Sequence, residues 1–167
     1  MRQPNNTIYT PRRALCSALI AASCLMLAGT AGAASKQKLS VYQHGKPVQG
    51  LSCETLPSQS GVLMGGGKDV VEAFTWMIDQ SRRCANPALG NFVVISISSN
   101  PAYNSAISKL GPLASVQTII VPSIDVANSP ELDSYIQNAS AIWLTGGDQG
   151  DYYNNWKGTR LVDLIRK

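Results

Sequence analysis

The chain has 167 residues, 14 Lys and Arg against 10 Asp and Glu, one His, and 44% apolar residues. The basic excess sits in the first 34 residues; without them 11 bases face 10 acids, so charge gives no argument for a nucleic-acid partner or an anionic membrane surface. No internal repeat or low-complexity tract interrupts the remainder, which is long enough for one core of ordinary size.

The first element in chain order is an export leader over 1–34. Arg2, Arg12 and Arg13 make a basic start, Ala14–Ala28 an apolar stretch, and Ala31-Gly32-Ala33 a small-residue cleavage site. The apolar stretch is shorter than the roughly 20 residues a membrane span requires. Cleavage after Ala33 or Ala34 is expected, giving a secreted or periplasmic protein with no membrane attachment once the leader is gone. Cys16 and Cys24 leave with the leader; Cys53 and Cys84 stay. An even pair in an oxidising compartment favours one disulfide, closing a loop of roughly 30 residues and worth on the order of 3–4 kcal/mol. Two unpaired thiols are the alternative.

Ser35–Ser60 is polar and broken by Gly45, Pro47, Gly50 and Pro57, and reads as an N-terminal extension with one short strand at most. Domain residues are then expected over 61–167. Gly61-Val62-Leu63-Met64 is a brief apolar run, read as a first strand, ending in Gly65-Gly66-Gly67. Asp69 and Glu72 have capping-box spacing, and Val70, Val71, Ala73, Phe74, Met77 and Ile78 line one face of the helix that follows, with Arg82 and Arg83 at its end.

The pattern then repeats. Asn91–Ser96 is a β-branched strand, Ala102–Leu110 a short helix, and Val116–Val121 a strand closed by Pro122. Pro130–Asn138 reads as a helix capped by Ser129, and Ala141–Leu144 as a further strand. Alternating strands and helices, with strands apolar throughout, predict an α/β fold: a parallel, doubly wound sheet covered on both faces.

Three groups of residues invite a chemical reading. Gly65-Gly66-Gly67-Lys68 lies before a helix but fails the Walker spacing, since Asp69 replaces the hydroxyl residue; it also fails the dinucleotide fingerprint, since Val70 stands where the third glycine belongs. A sterically open turn is the better reading. Thr145-Gly146-Gly147-Asp148-Gln149 follows a strand, where open parallel sheets place their ligands. Adjacent glycines let two backbone N–H groups converge, as an oxyanion hole requires, with Asp148 and Gln149 able to hold a polar substrate group; an ordinary turn fits equally well. His44, the only histidine, lies in the extension, and Ser96, Ser98 and Ser99 lie in no nucleophile elbow, so 61–167 holds no Ser–His triad. Cys53 and Cys84 are far apart and the acids scattered, giving no metal constellation. Tyr152, Tyr153 and Trp156, beside Lys157 and Arg160, are explained more simply by helix packing than by base stacking.

The order of these motifs resembles the serine peptidase family that contains cyanophycinase and aspartyl dipeptidase. The residues that carry it are Leu63–Gly67, Val93–Asn100, Ile142–Gln149 (IWLTGGDQ) and Gly158-Thr159. The resemblance implies a flavodoxin-like, class I glutamine amidotransferase-like three-layer sandwich. It implies a serine nucleophile in a G-T-S-A-G-like elbow on the strand after the helix opened by Gly158-Thr159, hence beyond Lys167, with His and an acid further on. Gly146 and Gly147 would then supply the oxyanion-hole N–H, Gln149 would line the substrate site, and Asp148 would shape the loop beside it. The implied substrates are aspartyl-type peptides or a cyanophycin-like polymer, with no cofactor. Without its elbow strand the sheet is incomplete on its C-terminal side, so these 167 residues alone are expected to be inactive. A non-catalytic periplasmic or extracellular module binding a small polar ligand, or a degenerate gene product, is the alternative.

Overall fold

In the computed structural model, residues 38–50, 60–65, 67–82, 90–98 and 101–167 are described. The leader, Cys53 and Cys84 lie outside the described residues. The elements are β1 (Ser40–Gly45), α1 (Val71–Arg82), β2 (Asn91–Ser96), α2 (Ala102–Ile107), β3 (Ser115–Ile120), α3 (Ile124–Ala127), α4 (Leu132–Gln137), β4 (Ala141–Leu144), α5 (Gln149–Trp156) and α6 (Arg160–Ile165). The strands form one four-stranded sheet in the order β1-β3-β2-β4.

The two central strands are the most apolar and the most enclosed: all six residues of β2 and all six of β3 are buried. They pair in parallel from Asn91 beside Ser115 to Ser96 beside Ile120, and β2 pairs in parallel with β4 from Phe92 beside Ala141 to Ile95 beside Leu144. Helices cover both faces. On one, α1 and α2 bury Phe74, Ile78 and Ile107 against Phe92, Val94, Val116 and Trp143. On the other, α3 to α6 bury Val126, Leu132, Ile136, Trp156, Leu161 and Leu164 against Val93, Ile95 and Ile119. Odd and even residues of β2 thus feed two different cores, as the period of two in a strand requires. An α/β fold with a mostly parallel open sheet between two helical layers is therefore observed.

Two expectations are corrected. Residues 61–65 form no strand: Gly61-Val62-Leu63-Met64 has no ladder partner, and Leu63 is fully exposed. Of the three apolar residues between Gly61 and Gly65, Met64 alone packs partly onto the core, so the run gains too little packing to hold a place in the sheet. The strand that completes the sheet comes instead from the stretch read as an extension. β1 runs antiparallel to β3, Ser40 beside Ile120 and Gly45 beside Ser115, so the sheet is not wholly parallel. Gly45 permits this close pairing, since its φ is +78° and a Cβ there would lie 2.3 Å from the Ala114 carbonyl oxygen. Boundaries also shift: β3 begins at Ser115, α2 ends at Ile107, and α4 begins at Leu132 with Ser129 Oγ accepting from the Glu131 N–H at 3.3 Å.

A polar tie fixes the amino end of the sheet. Asn91 Nδ2 donates to the Val48 and Asn138 carbonyls (2.7 and 2.8 Å), and Asn91 Oδ1 accepts from Val48 N and Ser115 Oγ, both at 3.0 Å. Every hydrogen-bonding site of that buried amide is used, which is the condition for burying it cheaply.

Candidate functional site

The chain leaves β2 for α2 on one face of the sheet and leaves β4 for α5 on the other. Because β2 and β4 are neighbours, their outgoing connections part and open a crevice past the carboxyl ends of the strands, the place where ligands bind in open α/β sheets. Thr145, Gly146, Gly147, Asp148 and Gln149 follow β4 directly at that end of the sheet.

Local bonding holds this turn. Thr145 N–H donates to the Ile95 carbonyl at 3.1 Å, extending the β2–β4 ladder by one residue. Thr145 Oγ1 donates to Ser96 Oγ at 3.0 Å, and buried Ser96 Oγ donates to the Ser98 carbonyl at 2.8 Å. From α5, the Tyr152 hydroxyl reaches back to Thr145 O at 2.9 Å, Gly146 O at 3.3 Å and Thr145 Oγ1 at 2.9 Å. Gly146 and Gly147 are exposed, and neither of their N–H groups donates to a protein acceptor among the described residues. Two adjacent amides with no acceptor among the described residues can donate to a carbonyl or carboxylate ligand.

The other two predicted site residues have separate roles. Asp148 Oδ1 accepts from Gly150 N–H at 2.7 Å, so its side chain caps α5 and shapes the turn. Gln149 is the first residue of α5, exposed at the crevice. Of the aromatic group, Trp156 is buried and donates its Nε1–H to the Val121 carbonyl at 2.9 Å, while Tyr152 packs edge-on to it at 4.5 Å between centroids. Tyr153 is exposed and carries Lys157 over its ring.

On the face of the sheet covered by α1 and α2, the Tyr103 hydroxyl from α2 donates to Asp69 Oδ2 at 2.8 Å, just ahead of α1. Asp69 is thus engaged across helices. Burial pushes the Tyr103 phenol above its ordinary value of 10.0; Asp69 adds to this by accepting its proton and by its charge, while the Trp143 indole N–H pulls the other way. That indole nitrogen is buried and has no partner in hydrogen-bond geometry among the described residues. Phe74 stands between the two rings, edge-on at 6.0 Å from Tyr103 and 4.9 Å from Trp143.

The geometry also separates what a dyad would need together. His44 pairs with Val116 near the start of β3, whereas Ser96 pairs with Ile120 at its end. Four residues of strand, about 13 Å, lie between those levels. Ser96 and His44 therefore form no nucleophile–base pair. Among the described residues, no three His, Cys, Asp or Glu side chains gather as a metal ion would require, and no helix is long and apolar enough to cross a membrane.

Sequence reasoning located the turn but missed Tyr152 as its support and the Tyr103–Asp69 bond. Neither has a local signature. Tyr152 acts on a carbonyl seven residues back, and Tyr103 on a carboxylate 34 residues back. No family model, curated protein or solved structure matches this chain.

Proposed function

We propose that this chain supplies the carbonyl-binding part of an exported serine-type peptidase of the cyanophycinase-like class, on a flavodoxin-like sheet. The observation that carries it is the pair of Gly146 and Gly147 amides, unengaged among the described residues, at the carboxyl end of β4 beside the β2–β4 switch point. In acyl transfer the carbonyl oxygen gains negative charge, and donors fixed before the reaction stabilise that charge without reorganising. The order of the three parallel strands, with β2 between β3 and β4, is the order that begins a flavodoxin-like sheet. The substrates proposed are aspartyl-type peptides or a polymer with such linkages. Asp148 holds the turn through its cap, and Gln149 faces the bound peptide.

The test is a titration of the ¹⁵N-labelled protein with an aspartyl dipeptide. The Gly146 and Gly147 amide resonances are expected to move most, and downfield. A titration that leaves both unmoved overturns the reading.

A second reading, a non-catalytic binding module, is favoured by the separation of Ser96 from His44. Turnover by the native exported protein separates the two. Cleavage of the dipeptide keeps the peptidase, and saturable binding without cleavage keeps the module.

A further inference from the structure

A trans peptide unit is planar, with its C=O and N–H pointing in opposite directions. Whatever holds the carbonyl of one unit therefore aims the N–H of the same unit the other way. The unit joining Thr145 to Gly146 carries the Thr145 carbonyl and the Gly146 N–H; the next carries the Gly146 carbonyl and the Gly147 N–H. Both carbonyls are approached by one hydroxyl, that of Tyr152, at 2.9 and 3.3 Å. Glycine leaves the intervening dihedrals free, so nothing intrinsic to the turn would keep the two planes in this setting.

The hydroxyl is itself well placed to hold them. Its ring is half-buried and rests edge-on against Trp156, which is anchored to the Val121 carbonyl. Its oxygen also lies 2.9 Å from Thr145 Oγ1, which is tied to Ser96 at the end of β2. The turn is thereby referenced to the central strand and to α5 together. The ring fills the space over Gly147, where an added Cβ would approach Tyr152 Cε2 to 2.9 Å.

We infer that Tyr152 is a positioning residue: by sharing its one O–H proton between the Thr145 carbonyl at 2.9 Å and the Gly146 carbonyl at 3.3 Å, it turns the Gly146 and Gly147 N–H groups away from α5 as fixed donors to a bound ligand. The inference rests on the reading of that turn as a carbonyl-binding loop. Tyr152 touches no ligand in this role and acts only through the backbone.

The experiment compares the wild-type protein with Tyr152→Phe, which keeps the ring against Trp156 and removes only the hydroxyl. Tyr153→Phe, at an exposed neighbour without a bond to the turn, serves as the control. Residual dipolar couplings of the Gly146 and Gly147 N–H vectors are measured without ligand. They are expected to change in Tyr152→Phe while those of β2 and β4 stay as they are, and to be unaffected in Tyr153→Phe. Affinity for the aspartyl dipeptide should fall roughly tenfold in Tyr152→Phe, the equivalent of about one hydrogen bond. Unchanged couplings at both glycines overturn the positioning role, whatever the ligand does. A wild-type protein whose glycine amides ignore the dipeptide overturns the functional reading instead, while the couplings still decide the role of Tyr152.

Discussion

At Gly147 an added Cβ would sit 2.9 Å from Cε2 of Tyr152 and 3.4 Å from its hydroxyl oxygen, whereas at Gly146 it would meet nothing within 4 Å. The obstructing ring cannot swing aside freely, because its hydroxyl is bonded to the turn and its edge lies on Trp156. Gly147→Ala should therefore cost about 1–3 kcal/mol through overpacking, and Gly146→Ala should stay within about 0.5 kcal/mol of wild type. Urea unfolding of the two variants checks this, and equal losses would mean that the Tyr152 ring yields. The sequence made the glycine pair visible as a candidate site but not the difference between its members, because that difference is made by a side chain on the next helix. Asn91 is a similar case. It reads as the polar start of a β-branched run, and only the folded chain shows it joining Val48, Ser115 and Asn138.

Among elements, β2, β3 and β4 were legible because continuous apolar runs bounded by Gly, Pro and Ser leave little else to form, and α1 because Phe74 and Ile78 recur one turn apart. The run at 61–64 looked equally apolar, yet strand formation is settled by a partner, and β1 takes the edge of β3 instead. The α4–α6 contact was equally hidden. Arg160, opening α6, holds Asp133 of α4 in a two-pronged ion pair, with Nε on Oδ1 at 2.6 Å and Nη2 on Oδ2. The Arg160 hydrogen bonds and charge lower the Asp133 carboxyl below its ordinary 3.8, outweighing a small opposing effect of burial. A lowered native value means that the pair favours the folded state above pH 3.8 and that its contribution is lost as pH falls from there through the native value. The pair is solvent-exposed, so its effect at neutral pH is small. The stability difference between wild type and Asp133→Asn, followed by urea midpoint against pH, should be constant near neutrality and shrink below pH 3.8. A difference that persists unchanged into strong acid would show that Asp133 contributes by packing or hydrogen bonding rather than by charge.

For the molecule as a whole, the two edges of the sheet differ in chemistry. At one edge, β1 presents Tyr42, Gln43 and His44, mostly exposed and polar, a composition that discourages pairing with a further strand. At the other edge, β4 consists of Ala141-Ile142-Trp143-Leu144, with no charge and no proline, and pairs only with β2 among the described residues. Leu144 is 45% exposed there, two residues before Gly146. An apolar edge without charge or proline is a template for another strand, and its backbone groups gain partners when one arrives. Self-association through β4 is therefore expected as concentration rises, with the sedimentation coefficient of the protein increasing across a dilution series. Leu144→Lys places a cation on that edge without opening the core, since the side chain is already half in solvent; it should suppress the association while moving stability by about 0.5 kcal/mol or less. Association of the variant equal to that of wild type would place the contact elsewhere on the surface. Loss of association in the variant would identify β4 as the edge through which the sheet extends, beside the Gly146–Gly147 turn.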